Sequence, residues 1–220
     1  MNKSSVTGYL KLLRMSQWLK NLMLFFPPFL GGVVLAPGVI AQGILPFGAF
    51  CLGSSATYVL NDILDAGNDA HHEVKRLRPI PSGRVSRRSA AVFGTALVAG
   101  SIFLASFATK PFFLLLIAYL GVTSAYSLKL KEYAIIDLFC ISAGFLLRLE
   151  AGGEAFGIVI SEWLFLSVFL LAIFLSTGKR LCEKNRMGTT SGRHRKSLLS
   201  YPDGYLDGIM YMTGGSVLVT

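Results

Sequence analysis

The apolar positions of this chain fall in long blocks, without the strict alternation of a half-buried strand or the narrow stripe of a soluble helix. Blocks of about 20 apolar residues are the length a helix needs to cross a bilayer. Seven are predicted, at about 21–41, 44–64, 89–108, 111–128, 133–151, 161–178 and 205 onward. The last is still apolar where the sequence reaches Thr220. The expected architecture is therefore all-α, a polytopic transmembrane helix bundle forming one membrane-embedded domain over residues 1–220, its seventh helix cut short.

Composition agrees with the blocks. Charged residues make up 15% of the chain and the mean hydropathy is +0.57, whereas soluble domains carry about 25% charged residues. The charge that remains is sorted. Starting with the N-terminus on one side and crossing at each block, all but Lys110 and Arg148 of the 21 Lys and Arg fall on the N-terminal side. The positive-inside rule makes that side the cytoplasm and the membrane the cell (inner) membrane. The net charge of +9 is then a one-faced field suited to anionic lipid heads and phosphorylated substrates. Nucleic acid is not an expected partner, since no recognition motif accompanies the charge. The basic, amphipathic N-terminus lacks the short apolar region and cleavage site of a signal peptide. Cys51, Cys140 and Cys182 are too dispersed for a metal or disulfide framework, and the adjacent pair His71–His72 cannot share a helix face as zinc ligands do.

One stretch departs from this sorting. Where the second block ends, the chain reads NDILDAGNDAHHEVKRLRP, from Asn61 to Pro79. If the helix continues at ~100° per residue, Asn61, Asp65, Asp69 and Asp62 lie at about 0°, 40°, 80° and 100°, with His72 at about 20°. Coaligned carboxylates repel and destabilise a helix unless a cation sits among them. Mg²⁺ is the hard cation that takes one or two carboxylates and completes its shell from substrate phosphates. Lys75, Arg76 and Arg78 follow at once, and guanidinium forks match phosphate oxygens. Acid for metal followed by base for phosphate is the composition of a diphosphate site. Arg84, Arg87 and Arg88 need no such reading, because cytoplasmic loops are basic anyway.

The pattern Asn61-Asp62-x-x-Asp65-x-x-x-Asp69 with Lys75 and Arg78-Pro79 resembles the first aspartate-rich motif of the UbiA superfamily of intramembrane prenyltransferases. Several further segments are similar to its decaprenyl-phosphate phosphoribosyltransferase branch: Ser16–Asn21 (SQWLKN), Tyr126–Lys131 (YSLKLK), Gly144–Arg148 (GFLLR) and Phe174–Arg180 (FLSTGKR). The resemblance implies a bundle of about nine helices that cradles a diphosphate through Mg²⁺ at the cytoplasmic face. It implies transfer of 5-phosphoribosyl from phosphoribosyl diphosphate to a polyprenyl (decaprenyl) phosphate, releasing pyrophosphate, in a pathway such as cell-wall arabinan synthesis. The superfamily's second motif, DxxxD, is half present: Asp137 is followed four residues later by Ile141.

On this reading Asp65 and Asp69, with Asn61 or Asp62, hold Mg²⁺, and Asp137 binds metal or orients the donor. Lys75, Arg78 and Lys131 hold the pyrophosphate or the 5-phosphate. Lys20, Lys179 and Arg180 serve the donor or acceptor phosphate, and Tyr126 joins them by its motif. Arg148, a charge inside an apolar block, either faces a polar cavity as a substrate ligand or pairs structurally, for instance with Glu150 or Glu154. Two other functions stay open. One is a prenyltransferase moving a polyprenyl chain from its diphosphate to an aromatic or other acceptor. The other is a non-catalytic lipid-binding fragment. MTGGS at 212–216 resembles a soluble phosphoribosyltransferase loop but lies within an apolar block, where small residues serve helix packing.

Overall fold

The computed structural model describes residues 3–71, 73–187, 198 and 201–219, and for 3–5, 186 and 187 it describes backbone only. His72 therefore lies outside the described residues.

Helices account for the predicted blocks with one exception. The blocks at 44–64, 89–108, 111–128, 133–151 and 161–178 form α3 (Val39–Asp69), α4 (Arg87–Ala105), α5 (Lys110–Leu128), α6 (Ile136–Phe156) and α7 (Glu162–Met187). The block from 205 forms α8 (Tyr205–Val219). Four of these, α3, α4, α5 and α7 up to Asn185, are long and apolar enough to cross a membrane. Helix α6 matches them in length, at 21 residues, but carries Asp137, Arg148, Glu150 and Glu154.

The exception is the first block, expected as one helix over 21–41. The chain begins with α1 (Lys3–Leu13), turns at Arg14 in the left-handed region (φ 49°), and runs as a 3-10 helix over Met15–Phe25. A five-residue α2 (Phe26–Leu30) follows, with prolines in its first turn. A turn with positive φ at Gly32 and Gly38 then leads into α3. Prolines remove amide donors, and a left-handed Gly reverses the chain without a Cβ clash. A 3-10 helix rises about 2.0 Å per residue, so residues 15–30 together reach about 30 Å, the thickness of the hydrocarbon core. This stretch starts some six residues earlier than the block that the hydropathy pattern indicates, and Lys20 lies within it.

Small and polar residues hold this stretch to its neighbours, as expected where lipid is as apolar as the interface. A Cβ on Gly152 of α6 would stand 2.3 Å from the Leu24 carbonyl oxygen, so only glycine admits the 3-10 backbone there. Ser55 of α3 donates to the Leu13 carbonyl at 2.7 Å and accepts from Trp18 Nε1 at 3.0 Å, while Asn21 donates to Ser54 at 3.2 Å. The central core joins Leu24, Phe50, Phe112, Leu116, Tyr119 and Ala151. A second cluster packs α1 through Leu12 and Tyr9 against α3, α4 and Val85.

The antiparallel path brings the end of α3, the α5–α6 junction and the second half of α7 to one end of the bundle. At that end Ile135, before α6, has φ 69°, a strained value for a β-branched residue. Tyr201, 3% exposed, steadies it by accepting the Ile135 amide at 3.2 Å. Burial pushes the Tyr201 hydroxyl above the usual tyrosine range, so it stays neutral.

Candidate active site

Helix α3 continues unbroken to Asp69 and places Asn61, Asp62, Asp65 and Asp69 on one stripe. The stripe divides into two edges, each meeting its own cations. On one edge Lys131, from the short 3-10 turn Leu130–Glu132, donates to Asp65 at 2.6 Å and Asn61 at 3.3 Å. On the other, Arg78 donates to Asp69 at 2.5 Å and Asp62 at 3.3 Å. Lys75 stands 3.9 Å from Asp69, and Arg14 forms a close ion pair with Asp62. Asp62 and Asp69 are buried, at 2% and 4% exposure. Beside this edge lies a cleft of about 340 Å³ lined by Lys11, Arg14, Asp62 and Arg78, with Val74 and Leu77 as apolar wall.

The cations that relieve the carboxylate repulsion here are the protein's own side chains. Among the described residues no three His, Cys, Asp or Glu side chains converge as a metal cluster. The stripe still fits a hard divalent cation in donor chemistry, being all oxygen with three carboxylates. Each pair of oxygen-bearing residues also converges on one positive group, Arg78 or Lys131.

A second constellation is closed. Arg180 of α7 grips Asp137 of α6 with Nε and with Nη2, the latter at 2.9 Å to Oδ1. Tyr126 donates to Asp137 at 2.8 Å and accepts from Arg180 at 3.2 Å, and Arg180 donates to Glu183 at 2.6 Å. Asp137 is 0% and Arg180 2% exposed. Buried charges of this kind persist only when paired and hydrogen-bonded, as both are.

A sequence profile described as the UbiA prenyltransferase family matches residues 25–183. The chain belongs to that family. It is 32% identical, over 99% of its length, to the decaprenyl-phosphate phosphoribosyltransferase of Mycolicibacterium smegmatis, covering 70% of that protein. It is 34% identical over 99% to the enzyme of the same name from Corynebacterium glutamicum, covering 67% of it. This UbiA-family chain is accordingly a transferase and a multi-pass membrane protein. Its fold is shared with a UbiA homologue from Archaeoglobus fulgidus solved with GPP and Mg²⁺, with a TM-score of 0.80 at 20% identity, covering 96% of this chain and 75% of that one.

Within this UbiA fold the remaining sequence-predicted residues separate. Lys75, Arg78 and Lys131 join the stripe. Tyr126, Asp137 and Arg180 form the closed constellation, in which Asp137 is buried against the other two. Lys179 is exposed on α7. Lys20, expected at the charged face, lies between Trp18 and Asn21, whose partners Ser55 and Ser54 are about 10–12 Å along α3 from Asp62. Arg148 does not take the expected glutamate partners. It donates to Asn21 at 2.8 Å, to the Gly144 carbonyl at 2.7 Å and to the Tyr119 hydroxyl at 2.7 Å, with the Tyr119 ring 4.6 Å from its Cζ. It is 5% exposed and ties the 3-10 helix to α5 and α6.

Three residues escaped the sequence reading. Arg14 and Lys11 look like ordinary positive-inside charges, and Glu183 like a surface acid. Only its spacing of three from Arg180 hints at the pair.

Proposed function

We propose that this protein transfers 5-phosphoribosyl from phosphoribosyl diphosphate to a polyprenyl phosphate, of decaprenyl type, at the cytoplasmic face of the cell membrane. The observation that carries this reading is the near full-length similarity to enzymes named decaprenyl-phosphate phosphoribosyltransferase. The stripe supports it with the charge pattern such a donor requires, carboxylates flanked by Lys75, Arg78 and Lys131.

In the transfer, the bond from the anomeric carbon to pyrophosphate breaks and its electron pair leaves with pyrophosphate. An oxygen of the acceptor phosphate forms the new bond to that carbon. The acceptor is anionic near neutral pH, so no side chain need remove a proton. Lys131, Arg78 and Lys75 orient the donor's phosphate groups, and the cations beside its diphosphate offset the charge that builds on it as it leaves, the electrostatic contribution that commonly dominates catalysis. Asn61, Asp62, Asp65 and Asp69 are the residues that would hold Mg²⁺, which when bound neutralises phosphate oxygens as a Lewis acid. Asp137, Arg180 and Tyr126 fix α6 against α5 and α7 and so set where Lys131 stands.

Membranes containing the protein, incubated with ribose-labelled phosphoribosyl diphosphate and polyprenyl phosphate, test the reading. Label is expected to enter the lipid phase with Mg²⁺ and to stay in water with a chelator. Consumption of a prenyl diphosphate while the label stays water-soluble would instead establish the prenyltransferase reaction.

A further inference from the structure

The Asp62 edge of the stripe holds more positive charge than its carboxylate needs. The cleft there is lined by three cations, Lys11, Arg14 and Arg78, against one carboxylate, Asp62. Asp62 is 2% exposed and already paired with both guanidinium groups. The neighbouring Asp69 brings Lys75 with it, so that pair leaves the balance unchanged. The surplus of two positive charges matches a phosphate monoester, which carries about −1.5 to −2 near pH 7. Arg14 and Arg78 side chains are 25% and 29% exposed, so their forks remain open to the cleft while they hold Asp62.

Fold geometry keeps the cleft in place. Helix α1 is pinned by Leu12 in the core and by Tyr9 on Phe93, ring centroids 5.1 Å apart. Lys11 sits in the last turn of α1, and Arg14 follows at the left-handed turn into the 3-10 helix.

We infer that this cleft is a phosphomonoester subsite, with Lys11 and Arg14 as ligands that the aspartate motif does not include. Resting on the reaction proposed above, it holds the 5-phosphate of the donor, while the Asn61–Asp65–Lys131 edge takes the diphosphate. The ribose then bridges the two edges of one helical stripe. A donor with a phosphate at each end is thus distinguished from a prenyl diphosphate, which has nothing for the second subsite.

The test uses the purified full chain in detergent, as wild type, Lys11→Gln and Lys11→Glu. Lys11 is exposed, so both variants are expected to fold; melting temperature without ligand checks this. Binding of ribose 5-phosphate and of inorganic phosphate is measured by thermal shift, and turnover with both substrates follows. Lys11→Glu is expected to weaken ribose 5-phosphate by about tenfold or more, the equivalent of one charge-assisted hydrogen bond. KM for phosphoribosyl diphosphate rises in step, kcat stays within about twofold, and KM for polyprenyl phosphate is unchanged; Lys11→Gln moves the same way by less. Unchanged ribose 5-phosphate affinity and donor KM would overturn the subsite. A rise in KM for polyprenyl phosphate alone would give the cleft to the lipid's phosphate and overturn the donor assignment. If the wild type turns over no phosphoribosyl diphosphate, the reaction is wrong. Inorganic phosphate binding in wild type against Lys11→Glu then still decides whether the cleft takes a phosphate.

Discussion

Asp62 and Asp137 are both buried carboxylates held by arginine, and they stand in opposite settings. Asp137 faces Arg180, itself 2% exposed, and a tyrosine hydroxyl, with the last guanidinium contact going to Glu183. Its charges are compensated within the bundle, where Arg180 is buried and Tyr126 and Glu183 are half-buried. The arginines on Asp62 reach it from a cleft and are a quarter or more exposed. A closed pair can hold helices at fixed distances. An open pair with surplus cations can exchange a partner for substrate. The same two residue types thus give a closed contact in one place and an open one in the other, and burial of the cation decides which.

The comparison is broken most severely by removing charge from the open side. Asp65→Asn combined with Asp69→Asn is expected to lower transfer by about 10³-fold or more while leaving the amount of folded protein in membranes unchanged. A double variant that keeps turnover would remove the stripe from the mechanism. On the closed side the effect moves to stability. Asp137→Asn strands the Arg180 charge and is expected to cost about 3–5 kcal/mol, read as a fall in detergent melting temperature. Adding Arg180→Met should recover part of that loss, which a purely catalytic role for Asp137 does not explain. Arg148→Met is expected to lower stability by about 1.5–3 kcal/mol with donor KM unaltered, because its contacts are Asn21, Gly144 and Tyr119; a tenfold rise in donor KM would return Arg148 to the substrate. The smallest change is Tyr126→Phe, worth about 0.5–1.5 kcal/mol, since Arg180 keeps its hold on Asp137.

Much of this was legible in the sequence because it is periodic. Apolar blocks gave α3 to α8, and a 100° advance put four polar residues on one stripe of α3. What stayed hidden depends on contacts between distant positions or on backbone geometry. Nothing in SQWLKN announces a 3-10 helix, which buries Asn21 within the bundle while its neighbour Lys20 stays exposed. Arg148 meets Asn21 across 127 residues of sequence, a contact no local pattern encodes. Arg14 is one charge in a basic N-terminus until the turn at φ 49° aims it at Asp62. The stripe itself was read as one surface for one metal. Its division into two edges became visible only with Lys131 and Arg78 in place.

The most direct measurement is the binding of phosphoribosyl diphosphate to purified protein with and without Mg²⁺, compared between wild type, Asp65→Asn/Asp69→Asn and the closed-side variant Asp137→Asn/Arg180→Met. Metal-dependent binding is expected in wild type and in the closed-side variant, and its loss when the two stripe carboxylates are neutralised. Equal, metal-independent binding by all three proteins would contradict the account.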